Sequence, residues 1–564
     1  MKEQAIIECV PNFSEGRNMD IIKQITDAIE SVDGIQLLDV DPGKATNRTV
    51  VTFIGSPEAV IEAAFQGIKK AAELIDMSKH KGEHPRMGAT DVCPLIPISG
   101  ISMEETAAYA HQLAKRVGTE LDIPTYMYEN AATSPDRSNL AIIRAGEYEG
   151  FGEKIIKPEW KPDYGPQKFN IKSGATVIGA RKILIAYNVN LNTTSERRAN
   201  SVAFDVREQG RVKRKDDKPN GEILKDEQGE AIRELGKLKA VKGIGWFIPE
   251  YGIAQVSMNL TDTEITPLHI AFEECCKSAD SRGMRVTGSE LVGLVPKQVL
   301  LDAGKYFLLK QERSTGLSET ELIHIAVKSM GLDDLAPFDA SKKVIEYCLE
   351  DKDANPLVKM SLSKFANETA SESMAPGGGS VSAYVGALGT SLGTMVANLS
   401  SHKKGWDDRW REFSDWAASG QKIKDKLLLL VDEDTKSFNA IIEAMRMPKE
   451  TAEEKKKRTA AIQEATKYAI EVPYNVMETA FGAYPLLEAM IVHGNPNSVT
   501  DAGVGALCIN IAIQGAWMNV KVNIQGLKDE EYKKEVLAKG WELSKSSLEH
   551  FRKYLDIVHQ RIES

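Results

Sequence analysis

The stretch HKGEHPRMGATDVCP, residues 80–94, packs His80, Glu83, His84, Arg86 and Asp91 into a dozen positions. Gly82, Pro85 and Gly88 interrupt regular structure, so the cluster belongs on a loop. Imidazole moves protons near neutral pH, and loops on a rigid scaffold commonly carry such groups. Two surface histidines on a polar turn is the alternative. A metal site is the weakest reading, because HxxxH needs a helix to align the pair.

A second carboxylate stands out for its surroundings. Leu427, Val431, Asp434, Phe438, Ile441 and Met445 recur at alternating spacings of four and three, which is one helix face. Asp434 interrupts that apolar stripe. A carboxylate buried there is costly unless it is paired, protonated or used. The perturbed pKa that follows suits a general acid or base. A structural Asp bonded to a neighbouring helix is the competing reading. Asp432 and Glu433 fall off the stripe and read as solvated.

Three further segments could hold or orient a substrate. Asp41 follows the strand-like LLDV and precedes a PG turn, where it either orients a histidine or holds a substrate amine, or caps the turn. Gly377, Gly378 and Gly379, in APGGGS, allow close backbone approach at a helix N-terminus that offers N–H groups to an anion, or simply form a turn. The segment Gly165, Pro166, Gln167, Lys168, Phe169, Asn170, Ile171, Lys172, Ser173 and Gly174 is a loop with two lysines and one aromatic. It is able to fold over a flat ring with a carboxylate tail, or it is an ordinary loop. GATVIGARK, which follows, fails as a phosphate loop because Ala180 and Arg181 stand where Lys and Ser/Thr are required.

The elements that must position these groups change in kind along the chain. At 564 residues, three or four folding units are expected. To about residue 330, strand and helix patterns mix: IIECVPNF, a helix from Met19, strands LLDVDPG and RTVVTFIG, and a helix from Pro57. This β-α-β-β-α order recurs in KILIAYNVNLN, a helix after Ser195, VKGIGWFIP, IAQVSMNLTD and a helix from Pro267. The expected architecture is multidomain, with two α/β subdomains, 1–180 and 181–330, a linker at 331–359 and an all-α helical bundle at 360–564. The charged stretch 210–239 reads as an exposed insertion. Thr451 with Glu454 is a capping box after Pro448, and HGNPNSVTD is a turn launching a helix. Asn519 and Asn523 share a helix face as core polar groups or ligand contacts. Gly386, Gly389 and Gly393 read as close helix packing.

Bulk properties narrow the partners. The formal net charge of -10 argues against a nucleic-acid partner, though a local basic pocket would still admit small anions. Six cysteines without a CxxC pair disfavour a zinc or redox site and favour a reducing compartment. The N-terminus lacks the pattern of a signal peptide, so a cytoplasmic location is expected. Residues 380–400 carry no charge and are long enough to span a bilayer. Their Gly, Ser, Thr and Asn content and the lack of a companion span favour a core helix and no membrane partner.

Together these motifs resemble the formimidoyltransferase-cyclodeaminase family, bifunctional folate enzymes of histidine breakdown. ECVPNFSEG, LLDVD, NRTV, HKGEHPRMGA, IRAGEYE, GIGW and GSELVGLVP resemble the transferase part; APGGGSV, LVDEDTKSF, EAMRMPK and HGNPNSVTD resemble the cyclodeaminase part. The resemblance implies that His84 is the transferase catalytic histidine, Asp41 its supporting aspartate, 165–174 the folate-binding loop and Asp434 the cyclodeaminase catalytic aspartate. It implies two α/β transferase subdomains with folate between them, and a helical cyclodeaminase whose site forms at a subunit interface of a homo-oligomer, a ring-like octamer. The implied substrates are N-formimino-L-glutamate and tetrahydrofolate as co-substrate, expected in polyglutamylated form, with no metal. The implied product is 5,10-methenyltetrahydrofolate, with release of ammonia. Residues 211–237 depart from the family pattern. A transferase using formylglutamate and a folate-binding scaffold without turnover are the rival functions.

Overall fold

The computed structural model describes residues 5–44, 46–82, 85–217, 221–349 and 355–563. The chain divides into two compact units, Met1–Leu294 and Val295–Ser564.

The first unit begins with β1 (Ile6–Cys9), β2 (Asn12–Phe13), α1 (Met19–Glu30), β3 (Gln36–Gly43), β4 (Arg48–Gly55) and α2 (Pro57–Leu74). It continues with β5 (Thr90–Ser99), α3 (Met103–Glu120), β6 (Thr125–Glu129), α4 (Leu140–Arg144), α5 (Glu147–Ile155) and β7 (Thr176–Ala180). The sheet runs β3, β4, then β1 and β2 in line, β5, β7, β6. Pairing is antiparallel except where β7 lies parallel to β5 and β6. Strand alternation sends Ile7, Cys9, Val51, Phe53, Cys93 and Leu95 into one core with Val60 and Ile68 of α2 and Leu113 and Val117 of α3. Each such large apolar side chain contributes roughly 1.5–3 kcal/mol by burial. The intervening positions, Glu8, Asn12, Thr52, Tyr126 and Tyr128, are also buried but far more polar.

A second sheet follows from β8 (Ile185–Leu191), α6 (Glu196–Val206), β9 (Arg211–Val212), β10 (Arg233–Glu234), β11 (Val241–Ile248), β12 (Ile253–Leu260), α7 (Leu268–Asp280) and β13 (Val286–Val292). Its order is β11-β12-β8-β13, all antiparallel. That repeats β3-β4-β1-β5 of the first sheet strand for strand. The recurrent β-α-β-β-α pattern in the sequence is therefore a structural repeat. The insertion forms the small antiparallel β9–β10 ribbon and is mostly exposed among its described residues.

The second unit contains α8 (Lys297–Lys310), α9 (Glu319–Met330), α10 (Ala340–Lys343), α11 (Ile345–Leu349), α12 (Leu362–Thr369) and α13 (Gly378–Ser401). It is completed by α14 (Trp410–Arg446), α15 (Ala452–Phe481), α16 (Tyr484–His493), α17 (Val499–Asn523) and α18 (Glu530–Glu563). The compact boundary lies at Leu294 rather than 330, because α8 and α9 belong with the helices. The turn between them bonds to the bundle: Ser314 Oγ to Asn398 Oδ1 at 2.7 Å, and Thr315 N to Ser414 Oγ at 3.0 Å. Part of the stretch read as linker is ordered too. The Val295 N–H donates to Lys343 O at 2.9 Å, and Val344 and Ile345 are buried.

The uncharged segment 380–400 is the core of α13. Its small residues let α17 approach: a Cβ on Gly389 would stand 2.8 Å from Cys508 Cβ, and one on Gly386 3.2 Å from Ala512 Cβ. Among the described residues one helical stretch is long and apolar enough to cross a membrane by length and composition, and it is Pro496–Gly526 rather than α13; half of its most apolar part is buried in the fold. Thr451 and Glu454 form the anticipated capping box.

Candidate active sites

In the first unit the loop after α2 is held from three sides. Asn47, at the β3–β4 turn, accepts from Gly16 N at 3.0 Å through Oδ1 and donates to Lys81 O at 3.0 Å through Nδ2. His80 Nδ1 accepts from Arg86 Nε at 3.1 Å, and a guanidinium can only donate. The proton therefore sits on Nε2, which donates to Asn47 O at 2.9 Å. Partial burial, opposed by that backbone bond, lowers the His80 pKa. A neutral imidazole with both nitrogens engaged positions the loop and has no free nitrogen for proton transfer. Glu83 and His84 lie outside the described residues.

Arg86 is buried and binds Glu149 Oε1 at 2.7 Å and Glu147 Oε2 at 3.2 Å. Beyond it the histidine loop runs against the 165–174 segment. The Ala89 N–H donates to Ser173 O at 2.8 Å, and the Ala175 N–H to Met87 O at 3.1 Å. Gly174 has φ +67, and a Cβ there would fall 2.1 Å from Met87 O, so only glycine permits the crossing. The two segments singled out from sequence are thus neighbours.

The loop itself is tied down. Phe169 packs on Tyr148 at 5.3 Å and Phe151 at 5.8 Å between ring centroids. Lys172 Nζ donates to Glu73 O at 2.8 Å, and Gln167 Nε2 to Ile155 O at 3.0 Å. Gly165, Gln167, Lys168 and Ile171 remain exposed.

Asp41 lies within β3, opposite Val50, and is exposed. Its charge acts on Arg48, which burial lowers to about 10; Asp91 and Asp41 oppose that shift and Arg144 adds to it. Asp91, 1% exposed, accepts from Met87 N at 3.0 Å and from Arg144 Nη2. Asn12 donates through Nδ2 to Val10 O at 2.8 Å, while its Oδ1 is buried without a partner. Sequence reasoning quoted NRTV and IRAGEYE but assigned Arg48 and Arg144 no part. An arginine at an otherwise apolar strand position was the available signal.

In the second unit Asp434 meets the start of α13. Ser380 donates to Asp434 Oδ2 from its backbone N–H at 2.8 Å and from Oγ at 3.1 Å. Ser380 sits in the first turn, where N–H groups have no helical partner, and the dipole there favours negative charge. Burial nevertheless dominates and raises the Asp434 pKa, with both Ser380 bonds opposing. A Cβ on Gly379 would stand 2.1 Å from Asp434 Oδ1. The glycine run therefore admits the protein's own carboxylate. Asn519 borders the same place: a Cβ on Gly378 would be 3.5 Å from its Nδ2, which donates to Gly515 O at 3.0 Å. Asn523 instead bonds Ala469 O at 2.7 Å, a bundle contact.

The neighbours of Asp434 differ from their sequence reading. Asp432 is 2% exposed and accepts from Leu357 N at 2.8 Å and Val358 N at 3.2 Å. Glu433 is half-buried and accepts from the Tyr468 hydroxyl. Phe438 and Met445, on the stripe, are exposed at 38% and 54%.

Among the described residues no group of three or more His, Cys, Asp or Glu side chains converges as metal ligands would. None of the six cysteines is in a disulfide, and Cys9 Sγ lies 3.5 Å from Cys93 Sγ in the first core.

Comparison with known proteins adds the context for this geometry. The family described as the formiminotransferase domain, N-terminal subdomain, matches residues 6–181; the formiminotransferase domain matches 186–350; formiminotransferase-cyclodeaminase matches 361–540. The chain is 43% identical over 531 residues to the formimidoyltransferase-cyclodeaminase of Gallus gallus, covering 94% of each. The glutamate formimidoyltransferase of Thermoplasma acidophilum is 44% identical over 306 residues, covering 54% of this chain and 92% of that one. The methenyltetrahydrofolate cyclohydrolase of Methylorubrum extorquens is 34% identical over 173 residues, covering 31% and 83%. With separate relatives for its two parts and one relative spanning nearly all of it, the chain belongs to the formimidoyltransferase-cyclodeaminase family.

Proposed function

We propose that the two units catalyse consecutive reactions on one folate. In the α/β unit, nitrogen 5 of tetrahydrofolate attacks the formimino carbon of N-formimino-L-glutamate, the bond from that carbon to the glutamate nitrogen breaks, and glutamate leaves. His84 takes the proton from the attacking nitrogen and returns one to the departing nitrogen. Asp41 orients the imidazole or the charged amidine. The 165–174 loop holds the folate, and Arg48 and Arg144 supply the positive charge that glutamate carboxylates require. The pairing of residues 87–89 with 173–175 supports this reading, because it sets the histidine loop beside the folate loop.

In the helical unit, nitrogen 10 attacks the same carbon, the bond to the imino nitrogen breaks, ammonia leaves, and 5,10-methenyltetrahydrofolate forms. Asp434 collects the proton from nitrogen 10 and gives one to the leaving nitrogen. The observation that carries this step is the Asp434 carboxylate, its pKa raised by burial yet still bonded to the first turn of α13. Gly377 and Gly378 leave room for the pterin edge, beside the carboxylate that Gly379 admits.

The proposal extends to setting. The reaction pair turns the glutamate derivative of histidine breakdown into glutamate and a one-carbon folate, in the cytoplasm, with polyglutamylated folate as co-substrate and no metal in the chemistry. The working form is a homo-oligomer, with an octamer expected. Val504, Leu507, Ile511, Met518 and Val522 share one exposed apolar face of α17, which a second copy would cover. Incubating the protein with N-formimino-L-glutamate and tetrahydrofolate tests the chemistry. Methenyltetrahydrofolate and ammonia should appear in equal amounts; folate binding without either product would leave a scaffold.

A further inference from the structure

Two motifs, GIGW and GSELVGLVP, have no part in either proposed reaction, and both lie in the second sheet of the α/β unit. That sheet packs α6 and α7 on one face. Cys275 Sγ of α7 lies 3.8 Å from Met258 Sδ of β12, and a Cβ on Gly245 would stand 2.1 Å from Asn200 N of α6. Alternation turns the neighbouring residues to the other face. There the pairing sets Trp246, Gln255 and Asn190 in one row, and Ile244, Ser257, Asn188 and Glu290 in the row beside it.

The polar side chains of these rows are joined. Trp246 Nε1 donates to Gln255 Oε1 at 3.3 Å, and Gln255 Nε2 donates to Asn190 Oδ1 at 2.8 Å. Gln255 and Asn190 are buried, so the amides are fixed. Glu290 ends the network and is only half-buried. It accepts from Asn188 Nδ2, Gln255 Nε2 and the Tyr251 hydroxyl, each at 3.4 Å. These contacts are at the outer limit of a hydrogen bond, whereas a carboxylate takes a charged N–H donor at about 2.7–2.9 Å. No lysine, arginine or histidine pairs with Glu290 among the described residues. Its charge raises the pKa of the Tyr251 phenol. Ile244, Trp246 and Tyr251 are exposed on the same face, which leaves the carboxylate open to a ligand. A half-buried carboxylate without a counter-charge calls for a cation that brings N–H donors.

The structural repeat relates this face to the one that bears Asp41. In the first sheet Val51 and Phe53 join the core with α2 and α3, so Val50 and its partner Asp41 point the other way. We infer that Glu290 binds the amidinium of N-formimino-L-glutamate and makes the transferase selective for formimino over formyl donors. The inference rests on the proposed transfer reaction for its choice of substrate. The protonated formimino group is a planar N–C–N cation with N–H donors on both nitrogens, which matches the two oxygens of a carboxylate. It supplies the charge that the network lacks. A formyl group in its place is neutral and turns a carbonyl oxygen toward the carboxylate, so Glu290 stays unpaired. Asp41 is then left to orient the histidine.

Calorimetric titration of the full-length protein with N-formimino-L-glutamate and with N-formyl-L-glutamate tests it, on the parent, Glu290→Gln and Glu290→Asp, with transfer to tetrahydrofolate assayed alongside. The parent should bind the formimino compound more tightly. Glu290→Gln should weaken that binding by about ten-fold or more and bind the formyl compound as well or better, because its amide donates to the formyl oxygen. Glu290→Asp, which keeps the charge, should retain the parent preference. A merely structural role weakens both ligands together. An unchanged preference in Glu290→Gln, equal weakening of both ligands, or no binding of the formimino compound to the parent overturns the inference. Glu290-dependent binding without turnover upholds it and removes the transfer reaction; turnover with an unchanged preference does the reverse.

Discussion

The Ser380 backbone N–H lies 2.8 Å from Asp434 Oδ2, so the catalytic carboxylate proposed for the helical unit occupies the anion position at the start of α13. Two effects compete there. The helix start and the Ser380 hydroxyl favour the charge, while burial disfavours it, and burial prevails.

That balance sets a pH dependence. The fold raises the Asp434 pKa, so it favours the protonated form: stability is greatest below the ordinary carboxylate value, falls as pH climbs toward the raised one and stays reduced above it. Asp434→Asn, which keeps an acceptor for Ser380, should melt no lower than the parent at neutral pH. Ring closure by the parent should lose activity on the acid side at a pH above the ordinary carboxylate range. A lower melting temperature for the variant would mean that the charge is stabilising.

Gly379→Ala should abolish ring closure and spare formimino transfer, because a Cβ 2.1 Å from Asp434 Oδ1 must displace the carboxylate. Gly378→Ala, with 3.5 Å to the nearest atom, is the matched control and should be milder. Separate assays of the two half-reactions decide it.

Asp432→Ala should destabilise the helical unit by about 1–3 kcal/mol, since two N–H groups at Leu357 and Val358 lose their acceptor. Protease cleavage near residues 355–360 should rise as well. Thermal unfolding at unchanged melting temperature would count against the anchoring role.

Burial raises Glu8 in the first sheet from 4.5 to about 7, against the pull of Arg181. A folded value above the unfolded one means that stability falls as pH rises from 4.5 toward 7 and stays reduced above it. Glu8→Gln should therefore stabilise the α/β unit most at pH 8 and least at pH 5, by up to roughly 3 kcal/mol, read as a rise in melting temperature. A larger gain at pH 5 would reverse the sign and contradict the burial argument.

Local periodicity carried most of the fold. The β-α-β-β-α order, the capping box at Thr451 and the core helix at 380–400 were all legible because each follows from neighbours within one or two turns. What was not legible depends on distant chain. Asp432 looked solvated beside Asp434, and only the segment at Leu357 and Val358 buries it. That α8 and α9 pack with the helices was not legible either, because the bonds of the α8–α9 turn to Asn398 and Ser414 have no local signal. His80 and His84 were equivalent on paper; Arg86 and Asn47 commit His80 to holding the loop. Arg48 and Arg144 were hidden because a paired buried arginine reads as an ordinary surface charge.

The central claim is that one chain carries two separable sites. The most direct measurement supplies N-formimino-L-glutamate and tetrahydrofolate to Asp434→Asn and follows glutamate and ammonia together. Glutamate should be released at the parent rate while ammonia falls by about 10²–10⁴-fold and 5-formimino-tetrahydrofolate accumulates. Ammonia at the parent rate, or loss of glutamate release along with it, would contradict the account.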